Sequence, residues 1–325
     1  MICIGVESTA HTLGLSVVEA KGEKVRVLLN KAWKYPSTSE GYIPFKLAEH
    51  HSENAVLLAE ELKKMKSLKP DLISYSQGPG IGHSLHVGFV IARTLSYYYD
   101  VPLVPVNHAV AHIEIGKSEC KTRNPLIVYV SGGNTQIIVQ KKKYEVVGET
   151  MDMGLGNMLD QLGRKLGLNP PDAVGVLKEA SKTRRFVFLP YTVKGMNFSF
   201  TGLLTAALKL KESREVVCYS TQETAFSMLV EACERALCHY HSKEVLLVGG
   251  NARNKRLQEM LRVMSREHHA RFCVPSDEYC GDNAAMIALS GLVAWRGRKA
   301  RNVKPRQKMR VDEGFANKNN YVLVK

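Results

Sequence analysis

The sequence ICIGVESTAHTLGLSVV at residues 2–18 is followed, at residues 126–139, by LIVYVSGGNTQIIV, which has the same arrangement. In both segments apolar and small residues alternate on either side of a polar turn, and this pattern predicts a β-hairpin with one buried face. Because the second hairpin begins in the middle of the chain, we interpret the pair as the start of two similar halves.

Two further kinds of element recur in the same order. An apolar strand, a glycine turn and a helix are predicted from DLISYSQGPGIGHSLHVGFVIARTL at 71–95 and again from EVLLVGGNARNKRLQEMLRVM at 244–264. A strand running into a helix is predicted from VPLVPVNHAVAHIEI at 101–115 and from ARFCVPSDEYCGDNAAMIALSG at 270–291. Three recurring elements favour a gene duplication over chance.

The predicted fold class is α/β with a duplicated actin-like (ASKHA) fold, in which two lobes enclose an interlobe cleft. Such folds use glycine-turn hairpins that face the cleft to present backbone N–H groups to phosphates. We expect an N-terminal lobe at 1–124, a C-terminal lobe with helical insertions at 125–310, and a C-terminal tail at 311–325.

Length and composition agree with a two-lobed protein of the cytoplasm. The 325 residues, 45% of them hydrophobic, suffice for a substantial core. Seven scattered cysteines without a CxxC pair indicate neither a disulfide framework nor a thiolate zinc site. No apolar run approaches the roughly 18 residues of a membrane helix, and Glu7 comes too early for a signal peptide. We expect no membrane association.

The chain is strongly basic. It has 45 Lys and Arg against 31 Asp and Glu, a net charge of +14 and a pI near 9.4. This balance favours polyanionic partners through counterion release, with a general surface bias as the alternative. The segment WRGRKARNVKPRQKMR at 295–310, here called the basic strip, contains no acidic residue. We interpret it as a surface that faces nucleic acid.

Three residues from two distant segments predict a metal site. His108 and His112 are four residues apart, so on a helix both imidazoles can converge on one ion. Asp282 precedes the equivalent helix of the second half, and the duplication predicts that it faces the histidines across the cleft. Two histidines and a carboxylate suit zinc or iron, either as a Lewis acid or as a clamp between lobes. The HAVAH motif lacks the glutamate of a zinc peptidase.

Glycine turns predict a place for a nucleotide. The first turn consists of Ser131, Gly132, Gly133, Asn134 and Thr135. Its glycines permit close approach of a phosphate, although such a turn can also be only a tight hairpin. Gly249 and Gly250 precede Asn254 near a helix start, where an adenosine could lie; a plain strand-to-helix turn is the alternative. Asp160, on a predicted helix, could accept hydrogen bonds from ribose hydroxyls or could simply be solvated.

Six motifs in a fixed order carry a resemblance to a known family. They are QGPGIGHSLHVG, NHAVAHIEIG, YVSGGNTQ, LPYTVKGMNFSFTGLLTA, LLVGGNARN and CGDNAAM. With these motifs the chain resembles the TsaD/OSGEP family, in its archaeal and eukaryotic branch. The resemblance extends over nearly the whole chain.

The resemblance implies a transferase that moves the threonylcarbamoyl group from threonylcarbamoyl-AMP to the N6 amine of the adenosine 3′ of the anticodon in ANN-decoding tRNA, releasing AMP. It implies one iron or zinc ion, held by His108, His112 and Asp282 and, in the archaeal branch, also by Tyr129. The implied nucleotide contacts are Tyr129, Val130, Ser131, Gly132, Gly133, Asp160 and Asn254. No catalytic general base is evident, and none is needed if orientation and a metal-polarised carbonyl supply most of the rate.

One loop departs from the family pattern. Where the family has histidine-proline-glycine-glycine-proline and a following glutamate, this chain reads NPPDAVGVLKE from Asn169. Counted without gaps, Ala173 replaces the second glycine and Leu177 the glutamate. Each hydrogen bond lost to the ribose would cost about 0.5–1.5 kcal/mol. A second hypothesis is therefore a catalytically weakened scaffold that binds tRNA.

The resemblance also implies partners. These are tRNA and, within the KEOPS complex, a PRPK-type kinase subunit, a small dimerising Pcc-type subunit and a further regulatory subunit. Some archaeal members carry the kinase fused at the C terminus, and a truncated fusion is one hypothesis for this chain. A third hypothesis, an actin-like ATPase or sugar kinase, needs carboxylates that hold Mg²⁺, for which Glu7 is the one early candidate.

Overall fold

The strands fall into two sets, one in each half of the chain. The computed structural model describes residues 1–38, 41–295, 297, 302–313 and 321–324. The strands of the first half are β1 (Ile2–Glu7), β2 (Thr12–Lys21), β3 (Lys24–Lys34), β4 (Leu72–Gly78) and β5 (Leu103–Asn107). Those that follow are β6 (Leu126–Val130), β7 (Thr135–Gln140), β8 (Tyr144–Glu149), β9 (Val193–Lys194), β10 (Asn197–Phe198), β11 (Glu244–Val248), β12 (Arg271–Cys273) and β13 (Val322–Leu323).

The main strands of each half form one sheet, and these two sheets share a topology, whereas β9 and β10 form a separate two-stranded sheet. The first sheet has the order β13-β3-β2-β1-β4-β5, and the second has the order β12-β11-β6-β7-β8. In each, three strands pair antiparallel in a meander, a fourth pairs in parallel with the first strand of the meander, and a fifth pairs in parallel with the fourth. β6, β7, β8, β11 and β12 therefore correspond to β1, β2, β3, β4 and β5. The repeated order confirms the α/β class and the predicted duplication.

The helices occupy corresponding positions between these strands. The first half contains α1 (Pro44–Lys64), α2 (Gly82–Tyr98) and α3 (His108–Cys120). The second half contains α4 (Leu155–Lys165), α5 (Ala173–Ala180), α6 (Thr201–Ala207), α7 (Arg214–Tyr240), α8 (Lys255–Glu267), α9 (Asp277–Cys280) and α10 (Ala284–Ala294). α2 and α8 follow the fourth strands, whereas α3 and α10 come after the fifth. α4 to α7 form the predicted insertions and build much of the second core.

The last helix of each half packs against the sheet of the other half. α10 lies on the first sheet, and a Cβ on Gly5 of β1 would come within 2.5 Å of the Ala284 carbonyl oxygen. α3 packs on the second sheet, where Ile113 shares a buried cluster with Ile127 and Leu246. Nearly every residue of both helices is buried, as expected for helices enclosed on all sides. Because α3 and α10 also touch each other, the starts of both helices meet between the sheets.

The predicted lobe boundaries stay a prediction. The main strands of the two sheets lie on either side of residue 125, and the exchange of α3 and α10 is a feature that those boundaries do not include. The predicted tail contributes β13, which pairs with β3 in the first sheet. Within the described residues, no helix has the combination of length and hydropathy that a bilayer crossing requires.

Candidate metal and nucleotide site

His108, His112 and Asp282 come together where α3 and α10 begin. The Asn107 side chain caps α3 by accepting a hydrogen bond of 3.2 Å from the Val110 amide. The two imidazoles follow one turn apart, with their ring centroids 4.8 Å from each other. Oδ1 of Asp282 lies 3.5 Å from Nε2 of His108 and 3.3 Å from Nε2 of His112. One possible ligand atom from each of the three residues lies within 4.8 Å of the others.

Glu7, the last residue of β1, holds the other nitrogen of His108. Its Oε2 lies 3.0 Å from Nδ1 of His108, and its Oε1 accepts hydrogen bonds from the amide and hydroxyl of Thr9 at 2.7 and 2.5 Å. Glu7 is fully buried. A carboxylate at one ring nitrogen fixes the tautomer and orientation that leave the other nitrogen available to a metal. Nε2 of His108 is therefore directed towards Asp282.

The ring nitrogens of His112 indicate whether the three residues can bind a metal ion. Both ring nitrogens are buried and, among the described residues, have no hydrogen bond of acceptable geometry. An unpaired buried polar group costs about 1–3 kcal/mol, so the arrangement calls for a further partner. Two imidazole nitrogens and a carboxylate oxygen form a donor set that suits zinc or iron. The residues present fit such a metal ion.

The electrostatics of the three residues favour a positive charge at their centre. Burial lowers the pKa of His112, so its ring is neutral and has a lone pair to donate. Burial disfavours the ionised form of Asp282, but the neighbouring imidazoles of His108 and His112 outweigh it and hold its pKa well below the usual range. Burial also disfavours the protonated form of His108, yet the Glu7 and Asp282 carboxylates raise its pKa well above the usual range. Two carboxylates thus stabilise a cation here.

Tyr129 ends β6 beside the histidines. Its side chain is fully buried, and its ring centroid lies 5.7 Å from that of His112. Burial raises the pKa of its phenol, so the side chain is neutral in this environment. The structure therefore places Tyr129, the further ligand that the family resemblance implies, beside the three predicted metal ligands.

A cavity of about 510 Å³ opens between the two halves. His108, Tyr129 and Asp282 contribute to its wall, together with the glycine turn at 131–134 and the carboxylates of Asp160 and Asp172. This volume falls within the range of roughly 300–1,000 Å³ that is usual for small-ligand sites. The cleft that the duplication predicts is therefore a real cavity, and two of the candidate metal ligands, His108 and Asp282, line it.

Two glycines leave open space in the cavity wall. A Cβ built on Gly133 or Gly250 would meet no atom within 4 Å, so a side chain there would project into room that a ligand can use. The turn itself is held firmly, because the Ser131 amide donates to the Asn134 carbonyl at 2.8 Å. The Asn157 amide, in the first turn of α4, donates to the Gly132 carbonyl at 2.9 Å. A fixed turn without side chains suits close approach of a phosphate.

The remaining predicted nucleotide residues divide into two groups. Asp160, Ser131, Gly132, Gly133, Asn134 and Gly250 line the cavity. Val130, Gly249 and Asn254 are not among the described residues that form its wall. Asn254 instead caps α8 by accepting a hydrogen bond of 3.1 Å from Leu257. Gly249, with φ of +100°, packs against the Val130 carbonyl.

The loop that departs from the family pattern leads directly into α5. Ala173 is the first residue of α5, and its φ is not positive, so this backbone position does not need glycine. Asp172 caps the helix by accepting a hydrogen bond of 2.9 Å from the Val174 amide. Leu177 packs against the core of the second half. The chain therefore keeps the turn but has no carboxylate at 177.

The basic strip is described in part. Arg296, Arg298, Lys299 and Arg301 lie outside the described residues. The main chain of the remainder runs along the ends of β4 and β5, where Gln77 donates to the Lys304 carbonyl at 2.9 Å and Asn107 donates to the Arg310 carbonyl at 2.7 Å. Arg306 pairs with Glu313 at 2.5 Å. Nucleic-acid binding by this strip stays a prediction.

Sequence reasoning did not identify the roles of Glu7 and Asp172. Glu7 was a candidate only for holding Mg²⁺, whereas in the structure both of its oxygens are engaged by His108 and Thr9. The available signal was an acidic residue at the end of an otherwise apolar strand. For Asp172, the signal was a helix-capping residue next to the loop that departs from the family.

The comparisons with known proteins agree with the family suggested by the motifs. The family model described as "TsaD: tRNA N6-adenosine threonylcarbamoyltransferase" matches residues 26–289. A protein of Archaeoglobus fulgidus named tRNA N6-adenosine threonylcarbamoyltransferase is 45% identical over 301 residues, which cover 91% of this chain and 92% of that protein. A protein of the same name from Staphylothermus marinus is 45% identical over 330 residues, covering 95% and 98%.

Other relatives are longer. A protein of Methanococcus vannielii named "Probable bifunctional tRNA threonylcarbamoyladenosine biosynthesis protein" is 47% identical over 300 residues, covering 91% of this chain and 54% of that protein. The chain spans about half the length of the first curated relatives it matches. Whatever the other half of those longer proteins does is a property of those proteins and is not attributed to this chain.

Among solved structures, the HypF protein of T. kodakarensis superposes with a TM-score of 0.63 at 15% sequence identity, covering 90% of this chain and 47% of that one. This likeness supports the duplicated actin-like fold. The repeated topology fixes the architecture, and the matched family model and the two full-length relatives fix the lineage. The chain belongs to the TsaD family.

Proposed function

We propose that the protein is a tRNA N6-adenosine threonylcarbamoyltransferase, which moves a threonylcarbamoyl group from threonylcarbamoyl-AMP to the N6 amine of the adenosine 3′ of the anticodon in ANN-decoding tRNA. The observation that carries this proposal is that one cavity is lined both by His108 and Asp282 of the metal-ligand set and by a glycine turn open to a ligand. Two relatives that this chain covers almost completely have that enzyme name.

His108, His112 and Asp282, with Tyr129, are proposed to hold one iron or zinc ion. When bound, the metal would supply Lewis-acid polarisation of the threonylcarbamoyl carbonyl. Glu7 keeps Nε2 of His108 directed towards the site through its contact with Nδ1. The buried histidines exclude water from one side of the reacting group.

The second-half residues are proposed to bind and orient the adenylate. The turn at 131–134 lies where phosphate oxygens can approach the main chain, and Asp160 offers a carboxylate to ribose hydroxyls. In the transfer, the adenosine amine nitrogen bonds to the carbamoyl carbon while the bond from that carbon to a phosphate oxygen breaks. AMP leaves with the electron pair, and the amine proton passes to solvent. Holding both reactants in this cavity converts an encounter between two molecules into a local step.

The proposed partners follow from charge and from the relatives. The net charge of +14 and the basic strip suit a tRNA. We propose assembly in the cytoplasm with a PRPK-type kinase subunit, a Pcc-type subunit and a further KEOPS regulatory subunit. Relatives of nearly twice the length are named bifunctional tRNA threonylcarbamoyladenosine biosynthesis proteins, which supports a fusion with a second tRNA biosynthesis domain in some members.

Two other hypotheses make different demands on the same residues. A weakened scaffold is favoured by Leu177, whose side chain packs against the core and offers no carboxylate. An actin-like ATPase or sugar kinase is disfavoured because Glu7, its early Mg²⁺ candidate, is engaged by His108 and Thr9.

The deciding experiment measures incorporation of labelled threonine into tRNA by the full chain with its KEOPS partners, bicarbonate and ATP. His108→Ala is compared with His239→Ala, which removes an exposed histidine from α7. We expect His108→Ala to lose both bound metal and tRNA modification, and His239→Ala to keep both. If the wild-type complex assembles with metal and leaves tRNA unmodified, the scaffold hypothesis replaces the enzyme.

A further inference from the structure

Asp172 and Asp160 are neighbours on the cavity wall. Asp160 belongs to α4, and Asp172 is the capping residue immediately before α5. The amide of Ala173, the residue after Asp172, donates a hydrogen bond of 2.8 Å to Oδ1 of Asp160. This bond fixes the two carboxylates next to each other at the same part of the wall.

Each carboxylate has one oxygen engaged by the main chain. Oδ1 of Asp172 accepts hydrogen bonds from the amides of Val174 and Gly175 at 2.9 and 3.3 Å, and Oδ1 of Asp160 accepts from Ala173. In the described part of the chain, no group donates to Oδ2 of either residue. Two oriented acceptors are therefore available to whatever occupies the cavity.

The part of a ligand that contacts this pair has to supply two adjacent donors and carry no negative charge itself. Burial raises the pKa of Asp160, and the charge of Asp172 raises it further. The 2′- and 3′-hydroxyls of a ribose are two O–H donors on neighbouring carbons. Hydrogen bonds from hydroxyls to carboxylates are charge-assisted, so each is stronger than a bond between neutral groups.

The position of Asp172 is informative because of the loop that departs from the family. The count that aligns Ala173 with the second glycine aligns Asp172 with the first. The glutamate of the family corresponds to Leu177, which packs against the core and does not line the cavity. This chain has therefore lost one carboxylate and gained another five positions earlier.

We propose that Asp172 takes over the function of the missing glutamate, so that Asp160 and Asp172 bind the 2′- and 3′-hydroxyls of the adenylate, one each. This inference rests on the proposed function, since it assumes that the cavity binds an adenylate. It makes Asp172 a specificity-determining residue for ribonucleotides. It also removes the main reason to regard the chain as a weakened family member.

The test compares binding of AMP and of 2′,3′-dideoxy-AMP to the full chain by isothermal titration calorimetry. Asp172→Asn keeps the helix cap, because asparagine caps as well as aspartate, but replaces the free oxygen by an N–H donor and removes the charge. Asp172→Ser also keeps a cap and lacks the second oxygen. The control is Asp152→Asn, which changes a carboxylate that binds the amides of Phe200 and Thr201.

We expect the preference of the wild type for AMP over the dideoxy analogue to fall about tenfold in Asp172→Asn and Asp172→Ser, and to persist in Asp152→Asn. A merely structural Asp172 gives a different result: removing its charge near an anionic ligand would leave AMP binding unchanged or strengthen it. That outcome, with the preference intact, overturns the role of Asp172 while the proposed function stands. A wild type that binds metal but no AMP overturns both.

Discussion

Oε2 of Glu7 lies 3.0 Å from Nδ1 of His108, a contact between residues 101 positions apart. Both side chains are buried, so the interaction operates in a medium of low dielectric, where a carboxylate without a partner is costly. The contact joins the end of β1 to the start of α3. It therefore connects the first sheet directly to the helix that carries both candidate imidazole ligands.

Replacing Glu7 by glutamine tests how far this contact tunes metal binding. The amide keeps the shape of the side chain and removes the charge that fixes the His108 tautomer. We expect Glu7→Gln to lower metal affinity about 10–100-fold, the usual effect of losing a group that orients a metal-bound histidine. Competition with a chelator of known affinity measures the change.

The matched control for Glu7 is Glu19→Gln, which removes a carboxylate paired at 3.0 Å with Lys21 on the surface of β2. Metal affinity in that variant is expected to equal that of the wild type. If Glu7→Gln also binds metal as the wild type does, the orientation of His108 is set by packing alone, and the contact with Glu7 has no influence on the ion.

The duplication was predictable because each of its recurring elements has a recognisable local sequence pattern. Strand alternation, glycine turns and helical periodicity each depend on a few consecutive residues, and their repetition in the same order limits the topology. The same reasoning predicted that Asp282 would face His108, since the two residues open equivalent helices. The structure brings their side chains to 3.5 Å.

The exchange of the last helices could not be predicted in this way. The sequence AAMIALSGLVA of α10 is apolar on every face, so it indicates burial but does not say against which sheet. The choice depends on the fit between surfaces distant in sequence, such as the close approach of Ala284 to Gly5. The roles of Glu7 and Asp172 were not predicted for a similar reason. Each role depends on neighbouring residues that come close only in the folded chain.

Adding a methyl group at Gly133 tests whether the glycine turn contacts a nucleotide. A Cβ there meets no protein atom within 4 Å, and the residue's φ is not positive, so Gly133→Ala should fold with an unchanged melting temperature. In the proposed complex the methyl group occupies ligand space. We expect AMP affinity to fall about tenfold, equivalent to about 1.4 kcal/mol, as measured by calorimetry.

Gly202→Ala is the control for this substitution. A Cβ on Gly202 also meets nothing within 4 Å, but the residue lies in α6 and does not line the cavity. Its AMP affinity should match that of the wild type. Equal affinity in Gly133→Ala would show that the nucleotide approaches the cavity elsewhere, with the turn serving only as a hairpin.

The buried side chain of His51 leads us to expect that the free energy of unfolding depends on pH, an effect that can be measured without an activity assay. Its side chain in α1 is fully buried, and burial, with a smaller contribution from His50, lowers its pKa to about 4. Because the folded pKa lies below the unfolded value of about 6.5, the unfolded chain binds the proton first as the pH falls. The stability associated with neutral His51 is thus complete above about pH 6.5 and is lost as the pH falls towards 4.

Urea unfolding at pH 7 and pH 5 measures this effect in His51→Asn, which has no ring to titrate. Between the two values the wild type should lose about 2 kcal/mol more of its free energy of unfolding than the variant, an order-of-magnitude figure from the shift. The exposed His241→Asn is the control, since asparagine tolerates the left-handed backbone there, with φ of 51°. It should follow the wild type. Equal losses in wild type and His51→Asn would mean that the buried ring accepts a proton without opposing the fold, and that the acid sensitivity arises at other groups.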